Sequence, residues 1–240
     1  MMSIPNFKEI NVVILCGGLG TRLRSKIGDN PKVMATVGEK PFLDIILQYL
    51  RDQGLCHAIL CTGYKAEEIE NHYRKKNFGL TITFSRESEP LGTGGAVLNV
   101  RKWINSNPFF VLNGDSFCPL DYHRFLEFHA RKKALASIAI AAVRDNKDFG
   151  TITTDSIKRI INFSEKVPGF HLVHQSTFVN AGIYCFEQKI FDLMPVKKFS
   201  LELDFFPKLV DHDFYGFEIT EKFFDIGTPE RYKQVKKIFK

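Results

Sequence analysis

Cys16-Gly17-Gly18-Leu19-Gly20-Thr21-Arg22-Leu23-Arg24 directly follows the apolar run Ile10 to Leu15. Its three glycines let backbone N–H groups turn toward an anion with no Cβ in the way. Arg22, Arg24, Lys26 and Lys32 add four fixed positive charges nearby. A triphosphate needs that combination, because amides orient its oxygens while cations offset its charge. Leu15, Gly17, Gly18, Gly20, Thr21 and Arg22 are therefore candidate nucleotide-binding residues, with Arg22 and Lys32 as candidate catalytic cations. The loop differs from both common phosphate loops. Leu23 stands where a G-x-G-x-x-G starting at Gly18 needs its last glycine, and the G-K-[ST] of a Walker loop is missing from it. A glycine turn with a solvated basic flank is the alternative reading.

Two acids could supply a metal site. Asp115 ends Asn113-Gly114-Asp115 after the apolar run Phe109 to Leu112, and Asp225 lies in Phe223-Phe224-Asp225-Ile226-Gly227-Thr228-Pro229. Mg²⁺ takes oxygen ligands and usually only one or two protein carboxylates beside phosphate and water, so this pair is enough. Either acid alone also reads as a turn-forming Asp. Glu87-Ser88-Glu89-Pro90-Leu91-Gly92-Thr93-Gly94-Gly95-Ala96 forms a second glycine segment, whose glycines, Gly92 among them, would let a planar ring approach the backbone. A carboxylate at Glu87 or Glu89 can accept from guanine's N1–H and exocyclic amine together, whereas uracil or thymine suits an amide better. Exposed loop acids are the competing reading.

These residues need a scaffold that gathers loop ends. Apolar runs alternate with helical periods over the first 145 residues, with strands expected near 10–15, 57–62, 80–85, 109–112 and 135–143. Helices are expected after Pro41 (with Gly54 as its cap), over 66–76, from Gly94 to Trp103, and from an Asp121 N-cap to Lys133. Shorter strands follow at 149–154, 157–163, 178–186 and 215–219, and a last helix starts near Pro229. The pattern predicts an α/β fold: a Rossmann-like, mixed but mostly parallel sheet flanked by helices in a three-layer sandwich. With no linker or repeat, residues 1–240 read as a single domain, its nucleotide half about 10–145 and its sugar-phosphate half about 146–240. Phe199, Phe205 and Phe206 read equally as core or as interface, so a homo-oligomer stays open.

Composition narrows the classes. The chain is 44% hydrophobic, enough for a core without disulfides, and its five cysteines include no C-x-x-C pair. Cys16 reads as a small residue ending a strand rather than as an activated thiol. No apolar run is long enough to span a membrane and no signal peptide is visible, so a cytoplasmic protein is expected. The +6 net charge is partly local, since Arg231 to Lys240 holds five basic residues and no acid. That helix reads as a solvated basic face, and no aromatic-basic interleaving points to nucleic acid. The seven histidines show no metal or triad spacing; His171 and His174 read as surface residues.

The sequence resembles the sugar-phosphate nucleotidyltransferase family. The resemblance runs from about Asn11 to Tyr232 through the first glycine loop, Pro31-Lys32, Glu89 to Gly95, Asn113-Gly114-Asp115, Glu165-Lys166, Asn180-Ala181-Gly182 and Phe224 to Thr228. Leu23-Arg24-Ser25, in place of the usual L-x-P-L-T, is similar to the branch that joins GTP to a manno-heptose 1-phosphate. The resemblance implies transfer of a nucleoside monophosphate to a sugar 1-phosphate with release of pyrophosphate. It implies that Arg22 holds the β and γ phosphates, that Lys32 neutralises phosphate charge, and that Asp115 and Asp225 bind Mg²⁺. Gly17, Glu87 and Gly92 would contact the base and nucleoside. Gly150, Glu165, Lys166, Asn180 and Gly182 would form the sugar-phosphate side. The long C-terminal extension of some relatives is missing, which speaks against control by a distant end product. Other sugar 1-phosphates or triphosphates, and a catalytically silent nucleotide-sugar sensor, are the rivals.

Overall fold

The computed structural model describes residues 6–76, 78–142, 150–165, 178–196 and 198–239. Its strands are β1 (Asn11–Leu15), β2 (Thr36–Val37), β3 (Lys40–Pro41), β4 (His57–Thr62), β5 (Thr81–Arg86), β6 (Phe109–Asn113), β7 (Ser116–Phe117), β8 (Ala136–Ala142), β9 (Thr151–Thr154), β10 (Ile160–Ser164), β11 (Phe178–Phe186), β12 (Phe214–Ile219) and β13 (Phe224–Asp225). Its helices are α1 (Arg24–Ile27), α2 (Phe42–Asp52), α3 (Ala66–Arg74), α4 (Gly92–Asn99), α5 (Tyr122–Lys132), α6 (Phe206–Leu209) and α7 (Pro229–Ile238).

Nine strands form one sheet in the order β10-β9-β11-β6-β1-β4-β5, with β8 beside β11 and β12 beside β8. Strands β6, β1, β4 and β5 are mutually parallel, and β11 runs antiparallel to β6 and β8. The expected mixed, mostly parallel sheet is what forms. Strand β1 reads Asn-Val-Val-Ile-Leu with no polar alternation, as a strand covered on both faces must. Val12 and Ile14 pack with α2 and α5, while Val13 packs with α4 and the segment from Ile190 to Phe214. Register then fixes the site: Leu15 lies opposite Cys61 and Asn113, and Cys61 opposite Ser85. The loops leaving β1, β4, β5 and β6 therefore emerge together at the carboxyl edge, where open α/β sheets bind ligands.

Several boundaries differ from the sequence expectation for identifiable reasons. The second strand of the second half starts at Ile160 rather than Ile157, because Asp155 Oδ1 accepts from the amides of Ile157 (3.0 Å) and Arg159 (2.8 Å) and holds a turn. The helix expected from Gly94 starts at Gly92 and stops at Asn99, with a single 3-10 turn over Arg101–Trp103. The Asp121 cap is as expected, its Oδ1 accepting from Arg124 N at 3.0 Å. Gly54 has φ +89° and donates its amide to Arg51 O, closing α2. Phe199, Phe205 and Phe206 are all buried, so they belong to the core. The parts of the expected strands at Val143 and Phe149 lie outside the described residues. No helix among the described residues is long and apolar enough to cross a membrane.

Candidate functional site

Two cavities open at this edge, of about 520 and 360 Å³, and both are lined by Lys32, Asn113 and Asp115. The larger is bounded by Leu15, Gly17 and Gly18 of the glycine loop and by Glu87 and Gly92. The smaller brings together Arg22, Gly150, Glu165, Asn180, Gly182 and Asp225. Gly20 and Thr21 line neither cavity. Gly20 instead has φ +58°, and a Cβ there would stand 3.0 Å from Lys32 Cβ, so glycine lets the loop pass the lysine stem. Lys166, like His171 and His174, lies outside the described residues.

Lys32 sits in a 3-10 turn after Pro31, flanked by the buried Val33 and Ala35, and turns its stem inward. Its ammonium pairs with Asp115 Oδ2. Burial pushes the Asp115 carboxyl up, but the Lys32 charge and hydrogen bond outweigh it and hold the group below the usual carboxylate range. Asp225 reaches the same place through a short ladder: β13 pairs with β7, setting Asp225 opposite Ser116, and Ile226 N donates to Asp115 O at 3.0 Å. Asp225 Oδ1 accepts from Gly227 N at 2.8 Å, and Arg231 Nη1 lies 3.2 and 3.1 Å from its two oxygens. A Cβ built on Gly227 would be 2.7 Å from Asp225 Oδ1, 3.7 Å from Lys32 Nζ and 3.8 Å from Arg22 Nη2, which shows how closely these groups converge.

The donor set suits a hard divalent cation. Asp225 on β13 and Asp115 in the turn just before the facing β7, each beside a cation, offer oxygen alone and leave room for phosphate and water. No cluster of three or more His, Cys, Asp or Glu fit for a metal occurs among the described residues.

Glu87 enters the larger cavity half-buried. Its Oε2 accepts from Leu91 N at 3.1 Å, and its Oε1 would lie 3.3 Å from a Cβ on Gly17. Burial raises its pKa, and the Leu91 amide opposes the rise. Glu89 is exposed. The ring admitted by the second glycine segment is the chain's own: a Cβ on Gly94 would fall 2.0 Å from the Phe199 ring, and one on Gly92, where φ is +76°, 2.4 Å from Phe199 O. Those two glycines let α4 lie against Phe199, which in turn accepts from Gly94 N at 3.0 Å.

In the smaller cavity Asn180 donates to Tyr184 OH (2.9 Å) and accepts from Gly182 N (2.7 Å). Gly182, at φ +74°, sits in a bulge where the pairing of β11 with β8 slips, and that bulge aims Asn180 inward. Glu202 joins the group, accepting from Thr93 Oγ1 at 2.7 Å and Ser200 Oγ at 2.8 Å. Cys16 is fully buried and burial drives its thiol well up, so it is a packing residue.

Sequence reasoning missed Glu202, which lies in an irregular turn with no period to read, and Asn113, taken only as part of a turn. It also assigned Arg231 to a solvated helix face. That is corrected here: Lys233, Lys236 and Lys237 are exposed, but Arg231 turns toward Asp225. The usable signal was position, because Thr228 N-caps α7 and puts Arg231 in its first turn, beside the loop that holds Asp225.

Comparison with known proteins fits this geometry. Residues 11–239 match the nucleotidyl transferase family. The D-glycero-alpha-D-manno-heptose 1-phosphate guanylyltransferase of Aneurinibacillus thermoaerophilus is 38% identical over 231 residues, covering 95% of this chain and 97% of that protein. The enzyme of the same name from Campylobacter jejuni is 38% identical over 229 residues, covering 93% and 97%. The crystal structure of HddC from Yersinia pseudotuberculosis complexed with GMP-PN has a TM-score of 0.85 at 40% identity, covering 96% of this chain and 100% of that one. A glycine loop, a lysine and two aspartates gathered at one sheet edge, in a sequence matched over nearly its whole length, place this chain in the nucleotidyl transferase family.

Proposed function

We propose that this chain transfers guanylate from GTP to D-glycero-α-D-manno-heptose 1-phosphate, releasing pyrophosphate. The observation that carries the reading is that the two cavities share the Lys32–Asp115 wall, so a ligand in each brings its phosphate to one point. The larger cavity takes the nucleoside, with Gly17, Gly92 and Glu87 against it, and the loop from Gly18 to Arg22 takes the triphosphate tail. The smaller cavity takes the sugar phosphate, with Gly150, Glu165, Asn180 and Gly182 as its walls. This gives the division of labour between the two halves of the sequence. The names of the relatives, and the guanine nucleotide in the solved neighbour, support GTP and the heptose phosphate.

In the reaction an oxygen of the sugar 1-phosphate bonds to the α-phosphorus, and the bond to the β-phosphate oxygen breaks with its electron pair leaving on pyrophosphate. The attacking monoester is already ionised, so no general base is needed. The chain's task is alignment and charge neutralisation of two polyanions. Lys32 holds positive charge at the α-phosphate and Arg22 at the leaving phosphates. Members of the family are generally Mg²⁺-dependent, and bound at Asp115 and Asp225 the ion would neutralise phosphate charge and fix the geometry of transfer. Four triphosphates assayed against heptose, mannose and glucose 1-phosphates for pyrophosphate release test the reading. GTP with the heptose phosphate should give the highest kcat/KM. Release with no pair would instead favour a silent sensor, and a better pair would reassign the substrates.

A further inference from the structure

Glu202 lines the smaller cavity with a carboxylate that the fold does not call for. The segment from Phe199 to Leu201 is already tied to the start of α4. Phe199 O accepts from Gly94 N at 3.0 Å, Phe199 N donates to Leu91 O at 3.1 Å, and Leu201 N donates to Thr93 Oγ1 at 2.8 Å. Ser200 Oγ caps the turn that follows, accepting from Glu202 N and Leu203 N at 3.2 Å each. Those bonds hold the segment without an acid.

The side-chain partners of this carboxylate are hydroxyls. Its Oε2 accepts from Thr93 Oγ1 at 2.7 Å and Ser200 Oγ at 2.8 Å, which fills that oxygen, whereas Oε1 has only Tyr184 OH at 3.4 Å. Asn180 Nδ2 donates to the Tyr184 oxygen at 2.9 Å and leaves the Tyr184 proton for Glu202. Burial first, then the Glu202 charge, drive the Tyr184 hydroxyl well up, so it stays a donor. Asp115 and Asp225 differ, since each sits beside a cation. A carboxylate set among hydroxyls repels a phosphate and accepts strongly from a further neutral hydroxyl. In the proposed reading the phosphate is drawn to Lys32 and Arg22, which converge near Gly227, and the sugar ring supplies the hydroxyls.

We propose that Glu202 is a specificity-determining residue for the sugar substrate, its Oε1 accepting a hydrogen bond from one hydroxyl of the sugar 1-phosphate beside Asn180. A substrate without that hydroxyl leaves a charged oxygen in the cavity with no donor, which is how a site of this kind rejects analogues. The inference rests on the proposed sugar-phosphate chemistry and deepens it.

Glu202→Gln separates this role from a merely structural one. The Thr93 and Ser200 hydroxyls already accept from backbone amides, so each keeps its proton for residue 202, and the glutamine carbonyl must take the Oε2 position. The amide NH2 then stands where Oε1 was and cannot accept. Wild type and variant are compared by thermal midpoint and by steady-state kinetics with the heptose 1-phosphate and with analogues each lacking one hydroxyl. The proposal expects KM for the heptose phosphate to rise about tenfold or more, the scale for a lost hydrogen bond to a charged group, while KM for GTP stays within about twofold and the midpoint is unchanged. One deoxy analogue should be poor for the wild type, yet for the variant no worse than the full substrate. A sugar KM within about twofold of wild type overturns the proposal, as do analogues that all lose the same factor in both proteins, or a GTP KM that rises in step with the sugar KM. If the wild type releases no pyrophosphate from any sugar phosphate, the underlying functional reading fails, and calorimetry with the heptose phosphate decides the role of Glu202. Weaker binding to Glu202→Gln than to wild type supports it; equal binding, or none to either protein, overturns it.

Discussion

The Lys32 ammonium is ion-paired to the Asp115 carboxylate at the wall common to both cavities. The ammonium holds the Asp115 carboxyl below the usual carboxylate range in a half-buried place, and both groups belong to the proposed chemistry. In the proposed reaction Lys32 would face phosphate oxygens and Asp115 the metal. The site is thus preorganised by groups that substrates and ion would take over.

Replacing Lys32 by Met should lower kcat by about 10²–10³-fold, the scale for losing one preorganised charge at a transition state. It should also raise the Asp115 pKa, since burial would then be opposed only by the Ser116 and backbone hydrogen bonds. The native carboxyl is depressed, so its stabilising contribution is full above the unfolded value near 3.9 and is lost as pH falls through the lower folded value. Thermal midpoints should therefore favour wild type at pH 7, and the gap should close as pH drops below about 4. A gap that widens on acidification would contradict the pairing.

In the proposed reading, Glu87 accepts from guanine only as a carboxylate. Burial raises its pKa, so GTP affinity should fall as pH drops, starting above the ordinary Glu value near 4.3. Glu87→Gln should narrow the preference for GTP over ATP in equilibrium binding. An unaltered ratio would assign base reading to the backbone.

The α4 glycines make contrasting predictions. Gly94→Ala drives a Cβ into the Phe199 ring, and overpacking of this kind costs about 1–3 kcal/mol. Phe199→Leu in the same chain should relieve part of that cost, seen as positive coupling in a denaturation cycle. Gly92→Ala meets the Phe199 carbonyl and adds left-handed strain of about 1–2 kcal/mol, so the same second substitution should not rescue it.

Alkylation of the folded chain followed by peptide mapping should modify Cys56 and spare Cys16, Cys61, Cys118 and Cys185, which are buried. Burial raises the thiols of all four, that of Cys118 to about 12. Rapid labelling of Cys16 would contradict its packing role.

Much of this architecture could be read from local pattern. The continuous apolar run of β1 and the amphipathic α2 carry their own signals, and Asp121 announces α5 because an N-cap is a local bond. Lys32, Asp115 and Asp225 were legible as chemistry, and the β7–β13 ladder brought the two aspartates together beside the turn that holds Lys32. What escaped was decided by distant partners. Gly94 invited a ligand ring, and only the fold shows that Phe199 fills the place. Arg231 looked like one more basic residue on a polar face until the β7–β13 ladder set Asp225 in front of it. Glu202 lies in a turn with no repeat and finds Thr93, 109 residues away, only after the sheet has formed.

Co-crystallisation with a non-hydrolysable GTP analogue and Mg²⁺ tests the central claim most directly. The account predicts the guanine in the larger cavity against Gly17 and Glu87, the phosphates along Gly18 to Arg22, and the α-phosphate beside Lys32 with the ion between Asp115 and Asp225. A nucleoside lodged beside Asn180 and Glu165 instead, or an ion away from both aspartates, would contradict it.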